Sequence, residues 1–323
     1  MNLNLLIENL TNPALLFFVL GLVAVGLKSD LQIPKNSSKF ISLYLLFAIG
    51  FKGGQELAHS EFTLEILWSI LFGIFVASAV PFYTFFILKR KLSIDDAGAV
   101  AATYGSVSAV TFVTGISFLE NQGHTFGGQM VAVMALMEAP AIIVGVILVQ
   151  MYRKGDTANE KPSQVWGVVG HSFTNGSVLL ILGSLIIGLL ASEQHAHGIK
   201  PFTTDLFKGF LAIFLLDMGI TSGKKLGDFF KNGWFVLLFA IAIPLFNGCV
   251  VALVSGLITN EIGNRFIFAI LAASASYIAV PAAMKIAVPK ANPGIFIPMA
   301  LAITFPFNIT LGMPIYLSLI TAF

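Results

Sequence analysis

The chain has 323 residues, of which 57% are hydrophobic and only 11% are charged, and its mean hydropathy is +0.89. This composition excludes an ordinary soluble domain, in which roughly 25% of residues are charged, and predicts an all-α membrane protein. The net charge of +2 lacks the basic footprint of a nucleic-acid-binding protein, and the single Cys249 excludes an internal disulfide.

Ten apolar stretches come close to the roughly 20 residues that a helix needs to cross the hydrocarbon core of a bilayer. The predicted spans are, in chain order, residues 12–28, 38–55, 63–88, 94–119, 128–152, 173–191, 202–222, 232–257, 263–287 and 295–320.

The distribution of positive charge predicts the orientation of these spans. The odd-numbered connections contain all 18 Lys and Arg residues except Lys52, Lys200, Lys208 and Arg265. The positive-inside rule therefore places those connections in the cytoplasm of a bacterial inner-membrane protein. With ten spans, both termini are then periplasmic.

Two polar interruptions of apolar runs, residues 104–111 and 273–281, lie 169 positions apart, and the same offset aligns residues 49–57 with 218–226. The pattern indicates a duplication. Because five spans is an odd number, the second half enters the membrane with opposite polarity. The sequence thus predicts a five-plus-five inverted repeat with broken fourth and ninth helices.

This repeat divides the chain into a first half, residues 1–152, and a second half, residues 171–323. Residues 153–170 are the longest hydrophilic stretch and are predicted to be a cytoplasmic linker.

The two breaks are the candidate substrate site. Lipid offers no hydrogen bonds to an unwound backbone, so a break must face protein or a water-filled cavity. The N-terminus of the half-helix after each break favours an anion. The alternative is that small residues here only let helices pack closely. The candidate binding residues are Gly105, Ser106, Val107, Ser108, Thr111, Ser274, Ala275, Ser276, Tyr277 and Pro281.

Ionisable residues inside spans are costly and therefore become candidates for ion coupling. Glu138 is the first such candidate, as a cation or proton ligand; its alternative is a hydrogen-bonded structural carboxylate. Lys52 and Asp217 follow, although Lys52 could snorkel and Asp217 could lie near a span boundary. Thr221 and Ser222 complete the coupling set.

A sodium site is predicted near Ser108, Thr111, Glu138 and Ser276. The sequence has no phosphate-binding loop, zinc-ligand spacing or nucleophile elbow, so it predicts neither an enzyme nor a cofactor other than Na⁺ as a coupling ion.

Several short motifs, spread over nearly the whole chain, match the pattern of a known family. They are Ile49-Gly50, Gly53-Gly54, Gly105 with Val107, Ser108 and Thr111, Leu119-Glu120, Met137 with Pro140-Ala141, Met218-Gly219, Ser274, Ser276, Pro281, residues 289–293, Gly312 and Pro314-Ile315. On these residues the sequence resembles the cyanobacterial-type sodium-dependent bicarbonate transporter family and its bacterial permease relatives.

The resemblance implies a ten-span inverted repeat that works as an elevator, in a homotrimer. Spans one, two, six and seven would form the scaffold, and the other six the moving core. Bicarbonate and sodium would bind at the two breaks, and a PII-like regulator docks on the cytoplasmic face of photosynthetic members.

The chain departs from the family pattern at the expected cation ligands. Tyr277 stands where the family has an acidic residue, Lys52 replaces a threonine and Thr221 replaces a glutamate. Ala282-Ala283 replaces a Pro-Thr pair after Pro281, whereas Glu138 keeps a carboxylate where the family has aspartate.

The sequence therefore predicts a secondary active transporter that imports a small anion, with sodium-coupled bicarbonate symport as the first choice. One alternative is proton-coupled or sodium-independent transport of another small carboxylate or anion. The other is a non-transporting membrane sensor or scaffold.

Overall fold

The computed structural model describes residues 7, 9–59, 63–153, 176–229 and 233–323, and these residues contain helices and connections but no strand. The helices are α1 Pro13–Gly26, α2 Lys35–Ala58, α3 Leu64–Leu88, α4 Ile94–Gly105, α5 Ala109–Asn121, α6 Gln129–Tyr152, α7 Gly176–Leu190, α8 Glu193–Lys200, α9 Phe207–Phe229, α10 Trp234–Val254, α11 Ile262–Ala273, α12 Ala279–Ala287, α13 Pro293–Pro298, α14 Phe305–Phe307 and α15 Met313–Ala322. The last three helices are joined into one continuous helical segment by π-helical turns at Met299–Thr304 and Asn308–Gly312, and we call this segment the closing rod.

Six helical stretches are long and apolar enough to cross a membrane: Leu64–Leu88, Ile94–Asn121, Gln129–Tyr152, Glu193–Gly227, Trp234–Leu257 and Pro293–Ala322. Three apolar helices are shorter, namely Pro13–Gly26, Gly176–Leu190 and Ile262–Ala273. The all-helical class is confirmed, while the number of ten spans stays a prediction. The predicted linker lies outside the described residues except for Arg153.

The sequence pattern misses one helix. Residues 193–200 fall between two predicted spans, yet they form α8, which continues through a π-helical turn at Pro201–Asp205 towards α9. Most residues of α8 are polar, so a search for apolar stretches does not detect it.

Two close crossings join the early helices to the middle of the chain: α1 packs on α9, and α2 packs on α7. A Cβ on Gly219 would lie 2.1 Å from the carbonyl oxygen of Phe18, and a Cβ on Gly188 would lie 2.2 Å from that of Phe51. Glycine is therefore required for the backbones to touch, which is how membrane helices gain packing energy without a hydrophobic effect.

We expect Gly188→Val to destabilise the protein, because the added atoms would force α2 and α7 apart. Overpacking of this kind costs about 1–3 kcal/mol. Gly183→Val is the matched control, since Gly183 lies on the same helix and a Cβ there meets nothing within 4 Å. Thermal unfolding in detergent measures the difference, and equal melting temperatures for the two variants would contradict the crossing.

The remaining helices form a second packed group that contains both interrupted segments. Helices α3, α4 and α6 pack against one another, and α10 packs on α11 and α15. Contacts of α11 with α3, α4 and α6 join these two sets, and α5 packs on α11. At the end of α4, a Cβ on Gly105 would lie 2.3 Å from Cδ of Pro81 in α3. This contact keeps residue 105 small where the helix breaks.

Candidate anion and cation site

Both breaks occur where the sequence predicts them. Helix α4 ends at Gly105 and α5 begins at Ala109, while α11 ends at Ala273 and α12 begins at Ala279. The residues between the helices are non-helical. Each break thus supplies a new helix N-terminus deep inside the protein, at residues that are mostly buried.

The protein itself satisfies the backbone groups that the breaks release. The backbone NH of Ser276 donates to the carbonyl of Thr103 at 2.9 Å, and the NH of Ser108 donates to Oγ of Ser274 at 3.0 Å. These two bonds run in opposite directions between the breaks. They hold the two segments against each other and make an unwound backbone tolerable at membrane depth.

Two asparagines satisfy the carbonyls at the end of α11. Nδ2 of Asn308, in the second π-helical turn of the closing rod, donates to the carbonyl of Ala273 at 2.7 Å. Nδ2 of Asn247 in α10 donates to the carbonyl of Ala272 at 3.2 Å. The rod and α10 therefore fix the position of the second break.

A cavity of about 30 Å³ lies between the two breaks and the helices α2, α6 and α7. It is lined by Ser42, Leu46, Val107, Ser108, Ala109, Val110, Met134, Glu138, Ser177, Ser276, Tyr277, Ile278 and Ala279. A volume of roughly 10–15 Å³ on this measure holds one water, so the cavity suits a small ion better than an organic metabolite.

The charged and partly charged groups around this cavity favour ions of opposite sign. The N-termini of α5 and α12 both contribute to the wall, and their partial positive charge favours an anion. Glu138 lines the same cavity and is 8% exposed. Among the described lining residues there is no Lys or Arg. An ionised Glu138 would repel an anion in this cavity, and either a bound cation or a proton on the carboxylate would relieve that repulsion.

The structure brings together five of the eleven predicted substrate and sodium residues around one cavity. Val107, Ser108, Ser276, Tyr277 and Glu138 line the cavity. The other predicted residues lie outside its lining: Gly105, Ser106, Thr111, Ser274, Ala275 and Pro281.

Several of these remaining residues support the break instead. The backbone NH of Thr111 donates to Oγ of Ser108 at 3.2 Å, which caps α5. Ser274 accepts the Ser108 NH and donates to the Leu271 carbonyl at 2.8 Å. The backbone NH of Thr111 and the hydroxyl of Ser274 therefore support the breaks, and neither residue lines the cavity.

Lys52 does not line the cavity. Its ammonium forms a salt bridge with Glu120 at the C-terminal end of α5, and Lys52 is absent from the lining that contains Glu138. The hydroxyl of Ser222 donates to the carbonyl of Leu301 at 2.8 Å, and Ser222 lines neither this cavity nor the larger one beside it.

A second, larger cavity of about 760 Å³ adjoins the first, and we call it the vestibule. Asp217 and Thr221 line it, and the carboxylate of Asp217 accepts a hydrogen bond from Ser38. The two cavities share Ser42, Ser177, Tyr277 and Ile278 as lining residues. These four residues form the boundary between the vestibule and the small cavity.

Four lining residues lie outside the stretches and candidates that the sequence singles out: Ser42, Leu46, Met134 and Ser177. Met134 lies one helical turn before Glu138 on α6, so helical periodicity could have placed it on the same face. Ser42 and Ser177 lie in apolar helices that the sequence assigns to other spans. A serine there has the pattern of a packing residue, and only the tertiary structure reveals that it faces the cavity.

A family model for the Na⁺-dependent bicarbonate transporter superfamily matches residues 13–321 of the chain. A search of curated protein sequences with the chain finds no match. The family match spans both breaks, the cavity and the vestibule.

Proposed function

Because the chain belongs to the Na⁺-dependent bicarbonate transporter superfamily, we propose that it is a secondary active transporter that imports bicarbonate together with Na⁺. It is a transporter and not an enzyme, and its apolar helices make it a multi-pass membrane protein. The proposed location is the bacterial inner membrane, with both termini periplasmic.

The observation that carries the proposal is the charge arrangement of the small cavity. Two helix N-termini attract an anion, while Glu138 repels it unless its charge is neutralised. Simultaneous binding of a cation resolves this conflict. Oxygen atoms of Ser108, Glu138 and Ser276 are of the kind that hard cations prefer, and they supply the proposed sodium site.

The proposed mechanism is that of an elevator built on a five-plus-five inverted repeat. The scaffold would comprise α1, α2 and α7 to α9. The two glycine crossings join α1 to α9 and α2 to α7, and contacts between α2 and α9 join these two pairs. The core would comprise the remaining helices, which carry both breaks. The small cavity supports this division, because Ser42 and Ser177 of the scaffold face Ser108 and Ser276 of the core across it.

The assembly is proposed to be a homotrimer, in keeping with the family resemblance. A cytoplasmic PII-like regulator is proposed as a partner on the same basis. Neither proposal is needed for the charge argument, which concerns a single chain.

Uptake of labelled bicarbonate into proteoliposomes tests the function. We expect saturable uptake that increases with an inward sodium gradient and persists without a pH gradient, because sodium neutralises the cavity carboxylate. Empty liposomes are the control. Absence of saturable exchange for bicarbonate and for a panel of small carboxylates would instead favour a sensor or scaffold.

A second candidate is proton-coupled transport of a small anion. Glu138 is the one carboxylate among the described lining residues of the small cavity, which Tyr277 also lines, and this favours the candidate. A proton on Glu138 would remove the repulsion as completely as sodium does. Uptake that follows an imposed pH gradient and ignores sodium would select this candidate.

A further inference from the structure

The vestibule is strongly basic. Lys35 and Lys39 reach it from the first two turns of α2, and Lys224 and Lys225 reach it from α9. Asp217 is the one acidic residue among its described lining residues. None of the four lysines forms a salt bridge within the part of the chain that the structure describes. Four lysines and one aspartate therefore line a shared space, which gives it an excess of positive charge.

These lysines do more than the positive-inside rule requires. That rule needs positive charge on the cytoplasmic side but does not require it to surround a cavity. Arg90 and Lys91, at the end of α3, have the same topological role and do not line the vestibule. The convergence of lysines from two helices distinguishes the vestibule from an ordinary basic loop.

The vestibule and the small cavity differ in both volume and charge. The small cavity measures about 30 Å³ and contains a carboxylate, whereas the vestibule measures about 760 Å³, within the usual range of ligand pockets. Tyr277, which lies on the boundary, places its hydroxyl 3.6 Å from Sδ of Met218 in the facing helix α9. A bulky polyanion that fits the vestibule is too large for the space beyond Tyr277.

We propose that the vestibule is a second anion site, which binds a multivalent phosphate anion of the charge class of pyrophosphate. Lysine ammonium groups are common phosphate ligands, and Ser38, Ser42 and Thr221 add hydroxyl groups to the wall. The N-terminus of α2, which begins at Lys35, adds its partial positive charge.

Such an anion acts as an inhibitor from the side on which the vestibule opens. It covers the boundary residues and occupies space between α2 and α9, so the small cavity cannot exchange its ion with that side. This consequence rests on the proposed transport function, and the cytoplasmic location of the vestibule rests on the proposed orientation. Binding of the anion itself rests on neither.

Binding of pyrophosphate to the purified chain tests the site directly. The protein is placed in nanodiscs of zwitterionic lipid, and binding is measured by calorimetry at constant ionic strength. We expect saturable binding that Lys35→Gln/Lys39→Gln and Lys224→Gln/Lys225→Gln each weaken by about tenfold or more, since each pair removes two charge-assisted contacts.

The double variant Arg90→Gln/Lys91→Gln is the matched control, because it removes the same charge outside the vestibule. We expect it to change the affinity by less than about twofold, since neither residue lines the vestibule and salt screens exposed charges that make no direct contact. No saturable binding at millimolar pyrophosphate, or equal weakening by the control, would overturn the site. Loss of binding when acidic phospholipid is added would assign the lysines to lipid headgroups instead of a free anion.

This experiment is separate from the test of transport. Pyrophosphate binding without bicarbonate uptake would support the site and refute the proposed function. Bicarbonate uptake without pyrophosphate binding would support the proposed function and refute the site. If the protein both binds pyrophosphate and transports bicarbonate, pyrophosphate on the side of the membrane to which the vestibule opens should inhibit counterflow. The two double lysine variants should relieve that inhibition.

Discussion

Replacing Ser276 or Ser108 by tryptophan is expected to abolish transport. Both serines line the cavity of about 30 Å³, which has room for only two or three waters. An indole ring in that space leaves no volume for an anion. The measurement is uptake or counterflow of the labelled anion, at matched amounts of protein in the liposome membrane.

Alanine at the same two positions is the control for this loss. It removes the neutral hydrogen bond to the anion without filling the cavity, so the affinity should fall by about two- to tenfold, equivalent to roughly 0.5–1.5 kcal/mol. At position 108 it also removes the acceptor of the Thr111 NH, which should lower the melting temperature of that variant. Thermal unfolding of all four variants shows whether the tryptophan proteins still fold. Normal transport by both folded tryptophan variants would place the site elsewhere.

Alanine at Ser274 should behave differently, because its hydroxyl does not line the cavity. It accepts the Ser108 NH and donates to the Leu271 carbonyl, so its loss removes one of the two hydrogen bonds that hold the breaks together and should lower the melting temperature. The sequence groups Ser274 with Ser276, and only the structure separates a bracing hydroxyl from one that faces the site.

The positions of the breaks could be predicted from the sequence because their cause is local. A cluster of small polar residues within an apolar run disfavours an unbroken helix, and the 169-residue offset showed the same cluster twice. Both breaks begin within a residue or two of these clusters. The helix ends at Gly105 and Ala273 follow from that pattern.

The partners of individual charges could not be predicted in this way. Lys52 and Glu120 are 68 positions apart, and no periodicity relates them. Their contact depends on how α5 lies against the end of α2. Likewise, Asn247 and Asn308 satisfy the end of α11 from two other helices, and neither position has a local pattern that indicates this role.

The salt bridge between Lys52 and Glu120 changes the expectation for ion coupling. Lys52 and Tyr277 both depart from the family pattern, and the sequence makes either residue a candidate for weakened sodium dependence. The structure places only Tyr277 in the wall of the small cavity, together with Glu138. Lys52 pairs with Glu120, and its side chain is 40% exposed.

We therefore expect Tyr277→Asp to strengthen the sodium dependence of transport and Lys52→Thr to leave it nearly unchanged. Aspartate at position 277 would add a second carboxylate to the cavity that contains Glu138, and a second negative charge favours a bound cation. For Tyr277→Asp we expect the sodium concentration at half-maximal uptake to fall by about tenfold, which corresponds to about 1.4 kcal/mol of added binding free energy for sodium.

Tyr277→Phe separates the added charge from the lost hydroxyl, because it removes the hydroxyl but keeps the ring beside Met218. We expect Tyr277→Phe to retain the sodium dependence of the unmodified chain. The measurement is initial uptake against external sodium for all three variants at constant ionic strength. If Lys52→Thr shifted the sodium curve and Tyr277→Asp did not, the charge that sets coupling would lie at the Lys52–Glu120 pair. The cavity between the breaks would then bind the anion alone.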